Sequence, residues 1–168
     1  VLTNLGTSYA DLGQLESAIN VLQKGLLSAP SNLGLITNLA AFLRMDGRLE
    51  EGIALCRKTI AIDATYVNAH GNLGALLNDA GRHDEAIASY LEALRLNPDF
   101  ATAHTNLARI YLTLGDFDKG WREFEWRWQD PNFPKRDTRF PQPLWLGEED
   151  LNGKRILLII SGGIAAYK

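Results

Sequence analysis

A period of 34 residues runs through most of the chain and constrains its fold more than any other feature. Counting Val67 as position 1, the chain divides into four repeats, residues 1–32, 33–66, 67–100 and 101–129. Three positions carry the same kind of residue in every repeat: leucine at position 7 (Leu5, Leu39, Leu73, Leu107), a small residue at position 8 (Gly6, Ala40, Gly74, Ala108) and glycine at position 15 (Gly13, Gly47, Gly81, Gly115). Such a period is typical of stacked copies of one supersecondary unit.

The third repeat, residues 67–100, shows most plainly what that unit is. Its apolar residues recur at spacings of three and four, which predicts two short amphipathic helices. Gly81 lies where a left-handed glycine would end the first helix. Asp84 and Glu85 mark the start of the second helix, because acidic side chains favour the positive end of a helix dipole. Pro98 then ends the second helix.

One such hairpin cannot bury its own apolar face, so neighbouring hairpins must stack. Position 20 is always small and position 21 is always large and apolar: Ala18, Gly52, Ala86 and Gly120, followed by Ile19, Ile53, Ile87 and Trp121. Small residues allow the two helices of a hairpin to approach closely, and large ones fill the space between hairpins. We therefore predict an all-α fold, an α-solenoid of four helical hairpins.

These four copies in one register resemble the tetratricopeptide repeat family. The resemblance implies helix-turn-helix hairpins in a right-handed superhelix and a scaffold for protein–protein interaction, with no catalytic residue in the chain. The fourth repeat departs from the pattern, with Arg127 at a usually small position. We expect Trp121, Phe124 and Trp128 to form one helical face that caps the stack, and Trp126 to pack against the residues that follow.

Asparagine occupies position 6 of every repeat, as Asn4, Asn38, Asn72 and Asn106. It is a poor choice inside a helix because its side chain competes for backbone hydrogen bonds. Its amide, however, can donate to a carbonyl and accept from an N–H of an extended peptide. We expect these amides to form a peptide-binding ladder along the first helices, so the partner is a protein or peptide. Two alternatives stay open: duplication copied the residue, or each Asn bonds a neighbouring loop.

The repeats also resemble those of the protein O-linked N-acetylglucosamine transferases, a family that uses an asparagine ladder to hold the substrate backbone. Further along, GDFDKGWREFEWRW followed by FPQPLWLGEEDLNGKRILL is similar to the join between repeats and catalytic domain in bacterial glycosyltransferases. This resemblance implies an alternative function, a substrate-recruiting arm of a glycosyltransferase whose catalytic domain lies beyond Lys168.

The composition changes after the repeats. Residues 130–153 contain four prolines, which predicts an extended connector. Residues 154–168 contain an apolar strand from Arg155 to Ile160, then a glycine-rich loop and a helix start, the order in which a parallel α/β domain begins. Such a strand without sheet partners favours self-association of the chain through this tail.

The tail also resembles the opening of the flavoprotein domain of phosphopantothenoylcysteine decarboxylases, through its sequence GKRILLIISGGIAAYK. The resemblance implies a loop near the flavin phosphate, formed by Ser161, Gly162 and Gly163. A flavin-dependent decarboxylase domain is therefore a further alternative for the protein that carries this chain, although we expect no cofactor on the repeats themselves.

Charge and composition exclude several classes of partner. The net charge is only −3 and the basic residues are not clustered, which argues against a nucleic-acid surface. No apolar run approaches the length of a membrane span, and the N-terminus shows no signal peptide. We therefore expect a cytoplasmic protein that binds neither nucleic acid nor membrane.

Two residue types that often carry chemistry are assigned to packing. Cys56 occupies position 24, a core position, and is expected to be a small buried hydrophobe. His70 and His104 share position 4. Equivalent helices in such a stack lie on the order of 10 Å apart, too far for one metal ion to bind both rings. We expect no metal site.

Overall fold

The computed structural model describes residues 2–130, which form eight α-helices and one 3-10 turn. The helices are α1 (Leu2–Asp11), α2 (Leu15–Ser28), α3 (Leu33–Met45), α4 (Leu49–Ile62), α5 (Val67–Asp79), α6 (His83–Leu96), α7 (Ala101–Thr113) and α8 (Phe117–Phe124), and the 3-10 turn is Glu125–Trp128. The predicted all-α solenoid of helical hairpins is confirmed for these residues. The connector and the strand–loop–helix start fall outside them from residue 131 onward.

Each first helix ends two residues before the predicted glycine. Gly13, Gly47, Gly81 and Gly115 have φ between 74° and 82°, the left-handed region in which a side chain is strained. At Gly81 the amide donates to the Asn78 carbonyl at 2.9 Å, and the next amide, that of Arg82, donates to the Leu77 carbonyl at 2.8 Å. These two bonds satisfy the last carbonyls of α5 and reverse the chain into α6.

The contacts between helices define an inner face. Each second helix packs on the first helix of the next hairpin: α2 on α3, α4 on α5 and α6 on α7. The first helices also contact one another, α1 with α3, α3 with α5 and α5 with α7, whereas within residues 2–130 no second helix contacts the next second helix. Helices on the inside of a curved stack lie closer together, so α1, α3, α5 and α7 line the inner face.

Small residues allow this close stacking. Positions 8 and 20 are buried in every repeat: Gly6, Ala40, Gly74, Ala108, Ala18, Gly52, Ala86 and Gly120. A methyl group added at Gly52 would lie 2.7 Å from Leu76 Cδ2 of the next hairpin, and one added at Gly74 would lie 2.8 Å from Tyr90 Cε1. At these two positions the neighbouring side chain occupies the space that a Cβ atom would need.

The fourth hairpin departs from our prediction. α8 ends at Phe124 and a 3-10 turn follows, so Trp128 does not continue the helical face of Trp121 and Phe124. The guanidinium of Arg127 lies 4.5 Å from the Phe124 ring centre and 4.3 Å from that of Trp128, and its Nη1 donates to the Phe124 carbonyl at 2.8 Å. Trp121 is 58% exposed.

The two histidines at position 4 donate hydrogen bonds to backbone carbonyls of the loops between repeats. His70 Nε2 donates to the Ala64 carbonyl at 2.9 Å, and His104 Nε2 donates to the Pro98 carbonyl at 2.9 Å. The His104 ring makes two further contacts, a hydrogen bond from Nδ1 to the Glu123 carboxylate and a parallel stack on Trp126 with ring centres 4.0 Å apart. Trp126 therefore has a flat partner on α7, whereas the later residues expected to cover it lie outside the described part of the chain.

These contacts predict unequal effects for the two histidines. His104→Ala should lower the free energy of unfolding by about 3 kcal/mol, since it removes a carbonyl bond, a charged partner and an aromatic stack. His70→Ala removes one carbonyl bond and should lower it by about 1–2 kcal/mol. Urea unfolding of both variants at pH 7 checks the order, and equal losses would contradict the special role of His104.

Candidate peptide-binding face

The four asparagines at position 6 differ in burial and do not form one continuous chain of hydrogen bonds. Asn4 is exposed, whereas Asn38, Asn72 and Asn106 are half-buried. Among residues 2–130 no hydrogen bond joins two of these amides. Each asparagine lies on a first helix. The internal partners of the four side chains differ, and they determine which amide groups remain free to bond a ligand.

The NH2 group of the Asn72 amide is hydrogen-bonded inside the protein. Its Nδ2 donates to the Thr37 carbonyl at 3.0 Å, across 35 residues of sequence. This bond joins α5 to α3, so the neighbour is a helix and not a loop. Within residues 2–130 the Oδ1 atom of Asn72 accepts no hydrogen bond.

The polar groups of the fourth repeat are committed to internal partners. Asn106 Oδ1 accepts a hydrogen bond from Arg109, and the Asn106 side chain lies beside the Tyr90 phenol and acts to lower the pKa of that group. Burial raises the pKa of that phenol, and two nearby arginines and Asn106 oppose the rise only in part. The Thr105 hydroxyl donates to Asp130 Oδ2 at 2.6 Å, and both side chains are buried. Little of this repeat's hydrogen-bonding capacity is left for a ligand.

Asn38 is the opposite case. Within the described part of the chain, neither Asn4 nor Asn38 has a side-chain hydrogen-bond partner. Asn38 therefore presents a free donor and a free acceptor on a half-buried side chain.

A hollow of about 160 Å³ lies between α3 and α5, which we call the central hollow. Its lining consists of Ala41, Arg44, Met45, Asn72, Ala75 and Leu76. At its rim Arg44 Nε lies 3.3 Å from Asp79 Oδ2. Sequence reasoning missed this hollow, although a signal was present: position 9 is alanine in both adjoining repeats, as Ala41 and Ala75.

Cys56 lies in the core, as its position predicted, and is fully buried. Burial raises the pKa of its thiol to about 12, so the thiolate needed for nucleophilic chemistry is absent near neutral pH. Within residues 2–130 there is no cluster of three or more metal-ligating side chains, and no helix of that part is long and apolar enough to span a membrane. The predicted phosphate loop of Ser161, Gly162 and Gly163 lies outside the described residues.

The buried thiol gives a prediction that depends on pH. Cys56 should not react with Ellman's reagent in the folded protein at pH 8, and should release one equivalent after unfolding in urea. The pKa of the Cys56 thiol is higher in the folded protein than in the unfolded chain. Below the unfolded pKa of about 8.5 the thiol is protonated in both states, so its contribution to the free energy of unfolding does not change with pH. Above that value the unfolded chain loses the proton first, and the free energy of unfolding falls as the pH rises. A fast reaction of the native thiol would contradict its burial.

Comparisons with known proteins support the repeat fold. A tetratricopeptide repeat model matches residues 1–32, and a TPR repeat model matches residues 76–115. A crystal structure of MamA is 26% identical, with a TM-score of 0.64 over 74% of this chain and 73% of that chain. A second MamA crystal structure is 25% identical, with a TM-score of 0.63 over 76% of this chain and 70% of that chain.

The fold extends to a more distant protein. TTC0263, a thermophilic TPR protein in Thermus thermophilus, is 19% identical, with a TM-score of 0.69 over 76% of this chain and 72% of that chain. No curated protein matches the sequence. None of the repeat models and structures named here is a glycosyltransferase or a flavoprotein. The repeat models matched at residues 1–32 and 76–115, together with the fold shared with these structures, support an all-α repeat solenoid and point to a non-catalytic protein-interaction domain.

Proposed function

We propose that this array of tetratricopeptide repeats holds an extended segment of a partner protein along its inner face. The observation that carries the proposal is the half-buried amide of Asn38, which has no hydrogen-bond partner within residues 2–130. A primary amide of this kind can bond both the C=O and the N–H of one residue in an extended chain. Asn72 adds its free Oδ1 one repeat further along.

The surroundings of these amides suit a peptide main chain. Position 9, between successive asparagines on the same face, is Ala41 and Ala75, and small side chains allow close approach of another backbone. Around Asn38 and Asn72 the charge of Arg44 is paired with that of Asp79, whereas Arg109 bonds the neutral amide of Asn106 and keeps its charge. The part of the face around Asn38 and Asn72 therefore favours recognition through main-chain hydrogen bonds over recognition through the charge of the partner, and added salt should weaken binding there little.

A selection experiment tests the proposal. The 168-residue chain is used to select binders from a displayed library of random dodecapeptides. The binders are then resynthesised with one benzoylphenylalanine for photo-crosslinking. We expect crosslinks on α1, α3, α5 and α7, with most of them near Asn38 and Asn72. A control chain with Asn20→Ala on the exposed side of α2 should select the same peptides.

Two results would overturn the proposal. One is crosslinking confined to the second helices, which would place the binding surface on the outside of the stack. The other is selection of no peptide at all by the folded chain, since a face built for main-chain hydrogen bonds should accept many sequences.

A further inference from the structure

We infer that the central hollow is a specificity pocket that takes one aliphatic side chain of the bound segment. The inference rests on the proposed function and adds to it a chemical preference. Asn72 lines the hollow, and in the proposed function its Oδ1 bonds the peptide main chain while its Nδ2 is held by the Thr37 carbonyl. A residue held by that amide therefore has its own side chain next to Ala41, Ala75 and Leu76.

The size of the hollow suits one side chain. Its volume is about 160 Å³, and an apolar cavity of about 150 Å³ is large enough for benzene. Valine, leucine, isoleucine and methionine side chains are all within that size. Four of the six lining residues are apolar, and Met45 at the edge is 62% exposed, so a flexible thioether can adjust over the occupant.

The other junctions between first helices lack the features of this hollow. Position 9 is Thr7, Ala41, Ala75 and Arg109 in the four repeats. Alanine therefore lies on both sides only between α3 and α5. At the α1–α3 junction one side carries a hydroxyl that bonds the Thr3 carbonyl at 3.1 Å. At the α5–α7 junction one side carries an arginine. The register thus places a single apolar site midway along the inner face.

The charges at the rim oppose a charged occupant. The Arg44 guanidinium is 3.3 Å from the Asp79 carboxylate, and both side chains are about two-fifths exposed. A lysine or aspartate side chain entering the hollow would meet alanine and leucine at its floor and lose its water without gaining a free counter-charge. The chemistry of the lining therefore selects an aliphatic group.

The chain contains a single methionine, so protein labelled with [methyl-13C]methionine gives one signal, from Met45 at the edge of the hollow. The probes are N-acetyl-leucinamide, N-acetyl-lysinamide and N-acetyl-aspartamide. We expect the leucine amide to shift the Met45 signal with saturation and the other two to leave it in place. Ala41→Leu, which fills the hollow, should abolish the shift, whereas Thr7→Leu, at the same position of the first repeat, should preserve it.

The comparison of the three amides uses the unaltered chain, so it tests the aliphatic preference of the central hollow even if Ala41→Leu does not fold. Equal shifts with all three amides, or none with the leucine amide, would overturn the inference.

Selected peptides give a second test. Replacing their side chains by lysine one at a time should reveal one position at which affinity falls about 10- to 100-fold, the ratio expected for losing one buried aliphatic side chain. Peptides that crosslink to the inner face yet tolerate lysine everywhere would overturn the pocket and leave the proposed function intact. Binding of N-acetyl-leucinamide without any peptide binding would support the pocket and overturn the proposed function.

Discussion

Replacing Gly74 by alanine is expected to lower the free energy of unfolding by about 1–3 kcal/mol, although alanine is the better helix former. The added methyl group would lie 2.8–2.9 Å from three atoms of the Tyr90 ring. That ring is only 2% exposed and packs in the main apolar cluster, so it cannot move aside. Urea unfolding followed by circular dichroism measures the loss.

A double-mutant cycle identifies the cause. The second repeat has Ala40 and Cys56 at the positions that Gly74 and Tyr90 occupy in the third. Tyr90→Cys alone should cost about 3–5 kcal/mol through the cavity it leaves. Combined with Gly74→Ala, the loss should be smaller than the sum by about 1 kcal/mol or more, because the methyl group then enters free space.

Gly34→Ala is the matched control. A methyl group there meets only Asn32 Oδ1, at 3.4 Å, so the variant should gain about 0.5–1 kcal/mol in helix propensity. If Gly34→Ala destabilised the chain as much as Gly74→Ala, steric conflict with Tyr90 would not be the reason, and strictly additive effects in the cycle would lead to the same conclusion.

The second large effect concerns binding. Asn38→Ala combined with Asn72→Ala should weaken a selected peptide by about 10- to 100-fold, which corresponds to losing two or three hydrogen bonds. Asn38→Ala alone should leave the free energy of unfolding within about 0.5 kcal/mol, as expected for a side chain without internal partners. Isothermal titration calorimetry and urea unfolding on the same preparations separate the two quantities.

Asn106→Ala should behave in the reverse way. Its side chain bonds Arg109 and lies beside the Tyr90 phenol, so the variant should lose about 1 kcal/mol of stability and change peptide affinity little. Asn20→Ala, on the exposed surface of α2, should change neither. A uniform loss of affinity for all position-6 variants would show that the four asparagines act alike and would contradict this division of roles.

The repeating features of the fold were predictable from the sequence, because they depend on residues close to one another in the chain. The left-handed glycines that end α1, α3, α5 and α7 follow from backbone conformation alone. Burial of the small residues at positions 8 and 20 follows from helical periodicity. The single helical face predicted for the fourth hairpin was wrong, because α8 ends at Phe124 and a 3-10 turn follows. In that turn Arg127 bonds the Phe124 carbonyl.

The candidate site was predictable only in part. The register placed one asparagine on every first helix, but it assigned the same role to all four. Their partners differ: the Asn72 amide bonds the Thr37 carbonyl across 35 residues of sequence, whereas Asn106 bonds Arg109 three residues further on. The sequence also carried the pair Ala41 and Ala75, but the hollow between them depends on the distance at which α3 and α5 pack. Such distances are set by the whole stack and not by local pattern.

Asn38 and Asn72 are proposed to hold the main chain of a bound segment, and N-methylation of the peptide tests this role most directly. Each backbone N–H of a selected peptide is methylated in turn, and dissociation constants are measured for the unaltered chain and for Asn72→Ala. We predict one amide whose methylation weakens binding to the unaltered chain but not to Asn72→Ala. Methylation effects that are the same for both proteins at every position would contradict the claim.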